Sequence, residues 1–282
     1  MTIIHCACIQ LRSSENVADN IQIVSELIRE AASMGAEFIL TPENTGFLDI
    51  RRGGAVGKVV RQSADACLAA LSCLAGELGV WLQIGSLAVL DDKTEADAKY
   101  SNRSFLINPN GQIVAHYDKI HMFDVEVGDG QSYKESRAYE AGQQSVLVET
   151  PFAKLGMSIC YDLRFPYLYR QLAQAGANLI TIPAAFTKVT GEAHWHALIR
   201  ARAIENGAFV MAAAQGGLHS DGRETFGHSL IVSPWGEVIA EAELDPCVIT
   251  AKLDMEDVKR ARARIPSLQN ERTFSVRSIR AD

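Results

Sequence analysis

The stretch AKLGMSICYDLRFPYLYRQLAQAGANLITI, residues 153–182, decides the fold class of this chain. Residues 153–160 form a short apolar run that predicts a strand, and residues 166–175 predict a helix. Pro166 stands in the first turn of that helix, where its missing N–H leaves no hydrogen bond unmade. Residues 177–182 predict the next strand. A strand, a helix and a strand in this short space indicate an α/β protein.

The same alternation extends outward to both ends of the chain. Residues 16–34 have apolar side chains at helical spacing, and Gly35 then ends the helix. The other predicted helices are residues 56–78, residues 192–206 and a last one that Asp254 caps and that ends at Arg264. The other predicted strands are residues 3–11, 38–41, 80–90, 104–116 (with a turn at 108–111), 208–214, 229–239 and 248–253. We expect one domain over residues 1–268 and a C-terminal tail over residues 269–282.

Composition excludes several classes of protein. The chain has 282 residues, 48% of them hydrophobic, and 27 basic against 34 acidic side chains, for a net charge of −7. That apolar content is too high for a disordered chain. The acidic balance argues against a nucleic-acid partner, which would favour a basic domain. The sequence contains no apolar run of the ~20 residues that a membrane span requires, so we expect no membrane association.

Six cysteines are too few for a disulfide scaffold in a chain of this length. None of them forms a Cys-x-x-Cys pair, which argues against a thiol-redox protein. The first residues also lack the basic n-region and the cleavage site of a secretory signal. We therefore expect a reducing, cytoplasmic location.

Cys160 lies at the end of the predicted strand 153–160, where the chain turns into a helix. Such turns carry reactive groups in many α/β proteins. The segment Gly156–Cys160 nearly matches the serine nucleophile elbow, but Cys replaces its last glycine. By itself, a cysteine at the end of a strand is more often a small buried apolar residue. Glu43, Lys119 and Glu135, taken singly, would each be interpreted as a solvated loop charge.

Together these segments resemble the nitrilase superfamily of carbon–nitrogen hydrolases along nearly the whole chain. The family's catalytic Glu, Lys and Cys match Glu43 in TPEN, Lys119 in YDKIHMFDV and Cys160 in CYDLRFP, and its second glutamate matches Glu135 in YKES. Residues 183–215 and the stretch GHSLIVSPWGEV are most similar to the deaminated glutathione amidase branch, with omega-amidases next. The resemblance implies a four-layer α-β-β-α sandwich. It also implies a homodimer or larger homo-oligomer joined through the helices after Cys160 and Gly191, with the C-terminal tail near the subunit interface.

The resemblance also implies a mechanism that suits these residue types. A thiol is mostly protonated at neutral pH, so Cys160 needs a base, and Glu43 fills that role. Lys119 and the backbone N–H of Tyr161 would stabilise the oxyanion formed when the thiolate attacks a small amide substrate. Glu135 would orient Lys119 or the substrate, or serve only as a structural partner of Lys119. Neither a metal nor an organic cofactor is required.

For substrate binding, the resemblance implies that Arg164, Phe186 and Thr190 hold the carboxylate end of a 2-oxo-dicarboxylic monoamide. An arginine offers two parallel donors to a carboxylate. The alternative for Arg164 is an internal ion pair with Asp162. His194 and His196 are two residues apart on one helix and point in different directions, so we do not expect them to bind zinc.

Several functions remain open at this point. Deaminated glutathione is the favoured substrate. An omega-amidase acting on 2-oxoglutaramate or 2-oxosuccinamate would use the same residues, as would a nitrilase or a carbamoylase. The non-enzymatic alternative is a scaffold protein of the same fold without catalytic activity. The presence of all four catalytic residue types argues against it.

Overall fold

The computed structural model describes residues 2–49, 51, 53–93, 98–128 and 132–281. Within these residues there are five helices: α1 Val17–Ser33, α2 Ala66–Leu78, α3 Pro166–Gln174, α4 Lys188–Asn206 and α5 Glu256–Arg264. The strands are β1 Ile3–Gln10, β2 Phe38–Leu40, β3 Trp81–Val89, β4 Ser101–Ile107, β5 Ile113–Asp118, β6 Asp124–Glu126, β7 Ser132–Lys134, β8 Val146–Glu149, β9 Lys154–Met157, β10 Leu179–Thr181, β11 Phe209–Ala212, β12 Gly216–Leu218, β13 Glu224–Phe226, β14 Leu230–Val232, β15 Val238–Glu241 and β16 Cys247–Asp254.

Two six-stranded sheets share one construction. Their strand orders are β16-β1-β2-β3-β4-β5 and β15-β14-β11-β10-β9-β8. Three neighbouring strands in each sheet are parallel, β1 to β3 in the first and β9 to β11 in the second, and antiparallel strands flank them. Parallel strands need a crossover connection, and α1, α2, α3 and α4 supply those crossovers. Two hairpins, β6-β7 and β12-β13, form small separate sheets.

The side chains of β1 show how the layers pack. Cys6 and Cys8 point into the core between the two sheets, among residues of both. Ala7 and Ile9 point the other way, into a core formed with α1 and α2. Helices α3 and α4 pack on the far face of the second sheet, through residues such as Trp195. The order of layers is therefore helices, sheet, sheet, helices, which confirms the four-layer sandwich expected from the sequence.

Some predicted boundaries are wrong. The helix predicted over residues 56–78 begins only at Ala66, because Asp65 caps it by accepting the backbone N–H of Leu68 at 2.8 Å. Gly57, with φ +76, lies in a turn before it. The strand predicted to reach residue 160 ends at Met157, and the short strands β6, β7, β8, β12 and β13 were not predicted. None of the helices in the described ranges is long and apolar enough to cross a membrane.

Candidate active site

Three dissimilar side chains meet where strands of the two sheets end. Glu43 follows β2, Lys119 follows β5 directly, and Cys160 lies just beyond β9. Glu135 follows β7, the second strand of the β6-β7 hairpin. Ligand sites in α/β proteins form at the carboxyl ends of strands, and these four side chains line one cavity. The structure therefore brings together all four residues that the sequence predicts as catalytic.

Lys119 lies at the centre of a buried ion-pair network. Its Nζ is 2.9 Å from Glu43 Oε1, and 3.0 and 2.9 Å from the two carboxylate oxygens of Glu135. Asn102 Nδ2 donates to Glu43 Oε1 and to Glu135 Oε1, each at 3.0 Å. One ammonium group thus holds two carboxylates, and an amide joins the same two carboxylates on another side.

Hydrogen bonds with backbone groups also hold the two glutamates in place. Glu43 Oε2 accepts the N–H of Ala185 at 2.9 Å, and Glu135 Oε2 accepts the N–H of Phe123 at 2.6 Å. Gln215 Nε2 donates to the backbone oxygen of Glu43 at 2.9 Å. Because several fixed donors surround each carboxylate, its orientation is preorganised rather than acquired on binding.

Cys160 is held in an unusual backbone conformation. Its φ is +48, in the left-handed region that costs a non-glycine residue energy. Its N–H donates to the carbonyl oxygen of Pro183 at 2.9 Å, and its side chain is buried. The buried Asp162 braces this turn: Oδ2 accepts the N–H of Ile159 at 2.8 Å and the hydroxyl of Tyr117 at 2.7 Å. Strain of this kind is typical of functional sites.

The charges of the site determine its resting protonation. Burial and the nearby negative charge of Glu43 raise the pKa of the Cys160 thiol well above its usual range, although Lys119 opposes them. Burial by itself would raise the pKa of Glu43. The charge and hydrogen bond of Lys119, together with Cys160 and Arg223, outweigh the effect of burial, so the pKa of Glu43 is lowered. Burial alone would lower the pKa of Lys119, but Glu135 and Glu43 keep it well above its usual range. The resting site therefore holds a thiol, a carboxylate and an ammonium group.

The cavity has a volume of about 390 Å³, enough for a small organic molecule. Besides Lys119, the cationic side chains that line it among the described residues are those of Arg51, Lys134 and Arg223. Its aromatic lining residues are Phe47, Tyr100, Phe123, Tyr133, Tyr139, Tyr161 and Phe186. A mixed lining of cations and rings suits an anionic ligand with an apolar portion.

The residues predicted to bind substrate divide into two groups. Phe186 and Thr190 line the cavity. The Arg164 side chain is not part of the cavity wall: its Nη1 is 3.2 Å from His194 Nδ1, and its guanidinium packs over the Phe186 ring at 5.1 Å. The alternative pairing of Arg164 with Asp162 is wrong, because Asp162 bonds instead to the turn described above and to His121 Nδ1 at 2.6 Å.

The two neighbouring histidines do lie apart. While His194 contacts Arg164, His196 Nε2 is 2.8 Å from Glu241 Oε1. His228 Nδ1 is 3.0 Å from the same oxygen. The side chains of His196, His228 and Glu241 lie outside the cavity. Within the described part of the chain, their ligand atoms are within 4.8 Å of one another, which is close enough to hold a metal ion. The shared carboxylate oxygen already pairs both imidazoles.

Sequence reasoning missed three groups at this site. Asn102 and the backbone of Ala185 position the carboxylates, and Arg223 lines the cavity from the segment 220–224, to which no motif could be assigned. The sequence signal for Asn102 is weak, because it is one of four consecutive polar residues at the start of the strand SNRSFLI. No local signal marks Ala185, because it acts through its backbone.

The chain is similar in sequence and in fold to known proteins. The family model described as "Carbon-nitrogen hydrolase" matches residues 5–263. A "Deaminated glutathione amidase" of Synechocystis is 41% identical over 94% of this chain and 96% of its own length, and the mouse protein of that name is 39% identical over 94% and 82%. The solved structure of the C. elegans NitFhit protein superposes with a TM-score of 0.87 at 32% identity, over 96% of this chain and 66% of that one.

Proposed function

This chain belongs to the carbon–nitrogen hydrolase family and is an amidase that acts on C–N bonds other than peptide bonds, and we propose that Cys160 is its nucleophile. Glu43 is then the general base and Lys119 the cation that stabilises the oxyanion. The observation that carries this proposal is the meeting of a buried thiol, carboxylate and ammonium in one cavity wall. Each residue supplies one function that amide hydrolysis requires.

The first step is the attack of the thiol on the amide carbonyl carbon. Because the pKa of Cys160 is raised, the proton must leave as the C–S bond forms, and the ionised Glu43 carboxylate receives it. The carbonyl electrons move to oxygen, which becomes negative. Lys119 Nζ and the N–H of Tyr161 stabilise that charge, and Glu135 keeps Lys119 in place.

The second half of the reaction uses the same base in reverse. Protonated Glu43 gives its proton to the amide nitrogen, the C–N bond breaks, and an amine leaves a thioester on Cys160. Glu43 then takes a proton from water, whose oxygen attacks the thioester carbon. The C–S bond breaks, Cys160 regains a proton and the carboxylic acid product departs.

For the substrate we propose deaminated glutathione, an amide of 2-oxoglutarate with cysteinylglycine. Relatives from a cyanobacterium and a mammal that bear this name match the chain over most of its length. The substrate carries a carboxylate at each end, and the cavity offers Arg51, Lys134 and Arg223 in addition to the catalytic lysine. Phe186 and Thr190 line the acyl part of the cavity in this proposal. The smaller 2-oxoglutaramate, an omega-amidase substrate, is the competing assignment.

One assay tests both the chemistry and the substrate, because deaminated glutathione and 2-oxoglutaramate both release 2-oxoglutarate. We expect wild-type enzyme to prefer deaminated glutathione and Cys160→Ala to release no product while keeping its fold by circular dichroism. Acid quenching of the wild-type reaction should trap a thioester on Cys160, detectable by mass spectrometry. Cys73→Ala removes an exposed thiol outside the cavity and is the matched control.

The proposed mechanism is wrong if Cys160→Ala keeps wild-type turnover, or if acyl mass is found on another cysteine. A wild-type enzyme that hydrolyses 2-oxoglutaramate but not deaminated glutathione would replace the proposed substrate with the competing one.

We also propose that the protein is a homodimer or larger assembly joined through α3 and α4. Large apolar side chains on these helices are exposed in the single chain, Tyr167 on α3 and Val189 and Ile204 on α4. In the tail, Phe274 and Val276 are likewise exposed, which supports a place for residues 269–282 near the interface. The family model spans residues 5–263, in agreement with one domain over 1–268. A monomer in light scattering at micromolar concentration would contradict the assembly.

A cytoplasmic location remains part of the proposal. Its support is that all six cysteines are free thiols in the structure, as expected in a reducing compartment. Cell fractionation with antibody detection tests it, and recovery of the protein outside the cytoplasmic fraction would contradict it.

A further inference from the structure

Arg223 is a buried cation, and one of its hydrogen-bond donors has no partner among the described residues. It directly precedes β13, and only 7% of it is exposed. Its Nη2 donates to the backbone oxygen of Ala185, but among the described residues its buried Nε–H has no hydrogen-bond partner. The guanidinium lies over the Tyr133 ring, 5.6 Å from its centroid, within the cavity lining. A buried donor without a partner is costly, so such a group in a cavity wall indicates a missing ligand atom.

The hydrogen bonds around Glu43 define the side of the site on which Arg223 lies. Glu43 Oε1 faces Lys119 and Asn102. Glu43 Oε2 accepts from the N–H of Ala185, and the carbonyl of that same residue accepts from Arg223. The backbone of a single residue, Ala185, therefore links Arg223 to the carboxylate oxygen of Glu43 that does not contact Lys119.

This arrangement separates the two halves of an amide substrate. Lys119 must lie next to the carbonyl oxygen, and Glu43 must reach the nitrogen to give it a proton. With Oε1 occupied by the Lys119 side, the nitrogen lies toward Oε2. A substituent on that nitrogen then extends past Ala185 toward Arg223 and Tyr133.

We infer that Arg223 is the binding residue for a carboxylate on the leaving amine, so that the enzyme selects amides of amino acids or short peptides. The inference rests on the proposed function. Cysteinylglycine, the leaving group of deaminated glutathione, ends in such a carboxylate, whereas the ammonia that leaves 2-oxoglutaramate has none. An arginine binds a carboxylate through two N–H groups, and the unpartnered Nε–H of Arg223 is one of those that would serve. The Tyr133 ring faces the guanidinium at cation–π distance.

The test compares wild type and Arg223→Gln on three amides that all release 2-oxoglutarate: deaminated glutathione, its C-terminal carboxamide and 2-oxoglutaramate. For deaminated glutathione we expect Arg223→Gln to lower kcat/KM about tenfold to hundredfold, the range for a hydrogen bond to a charged group. Most of the loss should be in KM, because this contact exists before the chemical step. Arg223→Lys, which keeps the charge but not the planar donors, should fall in between.

The carboxamide completes a double cycle. Replacing the acid by the carboxamide should lower kcat/KM of the wild type by a factor similar to that by which Arg223→Gln lowers kcat/KM on the acid. For Arg223→Gln acting on the carboxamide, kcat/KM should be little lower than after either change alone. The ratio of kcat/KM for deaminated glutathione to that for 2-oxoglutaramate should fall at least tenfold in Arg223→Gln. Arg200→Gln, which removes a guanidinium bonded to the backbone of Gly236 outside the cavity, should keep the wild-type ratio.

Two results would overturn the inference alone: equal wild-type kcat/KM on the acid and its carboxamide, or an unchanged substrate ratio in Arg223→Gln. The first comparison needs no variant, so the inference can still be overturned even if Arg223→Gln does not fold. A wild-type enzyme with no activity on deaminated glutathione but full activity on 2-oxoglutaramate would overturn the proposed substrate together with this inference.

Discussion

Two lysine–glutamate pairs in this molecule differ in little but their surroundings. Lys119 Nζ lies 2.9 Å from Glu43, and Lys259 Nζ lies 2.6 Å from Glu256 in the first turn of α5. The side chains of the first pair are 2% and 5% exposed, while those of the second are 74% and 34% exposed. The same chemical pair at a similar distance thus occurs in water and in the interior, so the two pairs allow the effect of the surroundings to be tested.

The exposed pair follows the charge pattern of its helix. Acidic side chains lie in the first turn of α5 and basic ones in its last turn, which complements the helix dipole on a solvated face. The buried pair follows no such local rule. Taking Lys119 and two carboxylates out of water costs free energy, and hydrogen bonds from Asn102 and Ala185 offset part of it. Such an arrangement is typical of groups that are kept for chemistry rather than for stability, as we propose for these residues.

The largest difference between the pairs should appear when each lysine becomes methionine. Lys119→Met removes the proposed oxyanion partner and leaves two buried carboxylates without their cation. We expect kcat to fall by about 10²–10³ or more, and the free energy of unfolding by about 3–5 kcal/mol. Steady-state release of 2-oxoglutarate and urea unfolding measure the two effects. Activity within tenfold of wild type would show that Lys119 is only structural.

Glu135→Gln sharpens the comparison within the buried network. Glu135 is the strongest of the charges that raise the pKa of Lys119 against the effect of burial. Without it the pKa of Lys119 falls, so the basic limb of kcat/KM should move to lower pH as Lys119 loses its proton. We also expect kcat to fall about tenfold to hundredfold, because Lys119 is less firmly positioned. An unchanged pH profile would contradict this role.

The acid limb of the pH profile tests the state of Glu43. Its carboxylate must be ionised to accept the thiol proton, and its pKa is lowered, so activity should persist below pH ~4.3, the pKa of an ordinary glutamate. Arg223 contributes to this lowering. Arg223→Gln should therefore move the acid limb to higher pH, measured as kcat/KM for 2-oxoglutaramate over a pH series. A shift to lower pH would have the wrong sign.

Lys259→Met should have the smallest effect. Because the pair with Glu256 is solvated, we expect the free energy of unfolding to change by less than about 0.5 kcal/mol and kcat/KM to stay at the wild-type value. The same denaturation and activity assays apply. A loss comparable to that of Lys119→Met would show that burial does not decide what such a pair contributes.

Local patterns account for the parts of the fold that could be predicted. Apolar alternation in β1 and helical spacing in α1 are properties of short segments, and both elements lie close to where they were predicted. The start of α2 was misplaced because apolar residues continue through the turn at Gly57, whereas the helix begins only where Asp65 caps it. Short strands such as β12 and β13 carry too few residues to show a period, and the tertiary fold decides their pairing.

By itself the sequence determined the family and the predicted catalytic residues, which rest on contiguous motifs around Glu43, Lys119, Glu135 and Cys160, while local patterns determined the order of the helices and of the longer strands. Only the tertiary structure decided which groups surround them. Ala185 bonds to a carboxylate 142 residues earlier in the chain, through a backbone N–H that any residue type would offer. Likewise, two arginines are equivalent as letters, but packing turns Arg223 into the cavity and Arg164 toward His194. Such contacts depend on how whole layers stack, and no local pattern encodes that.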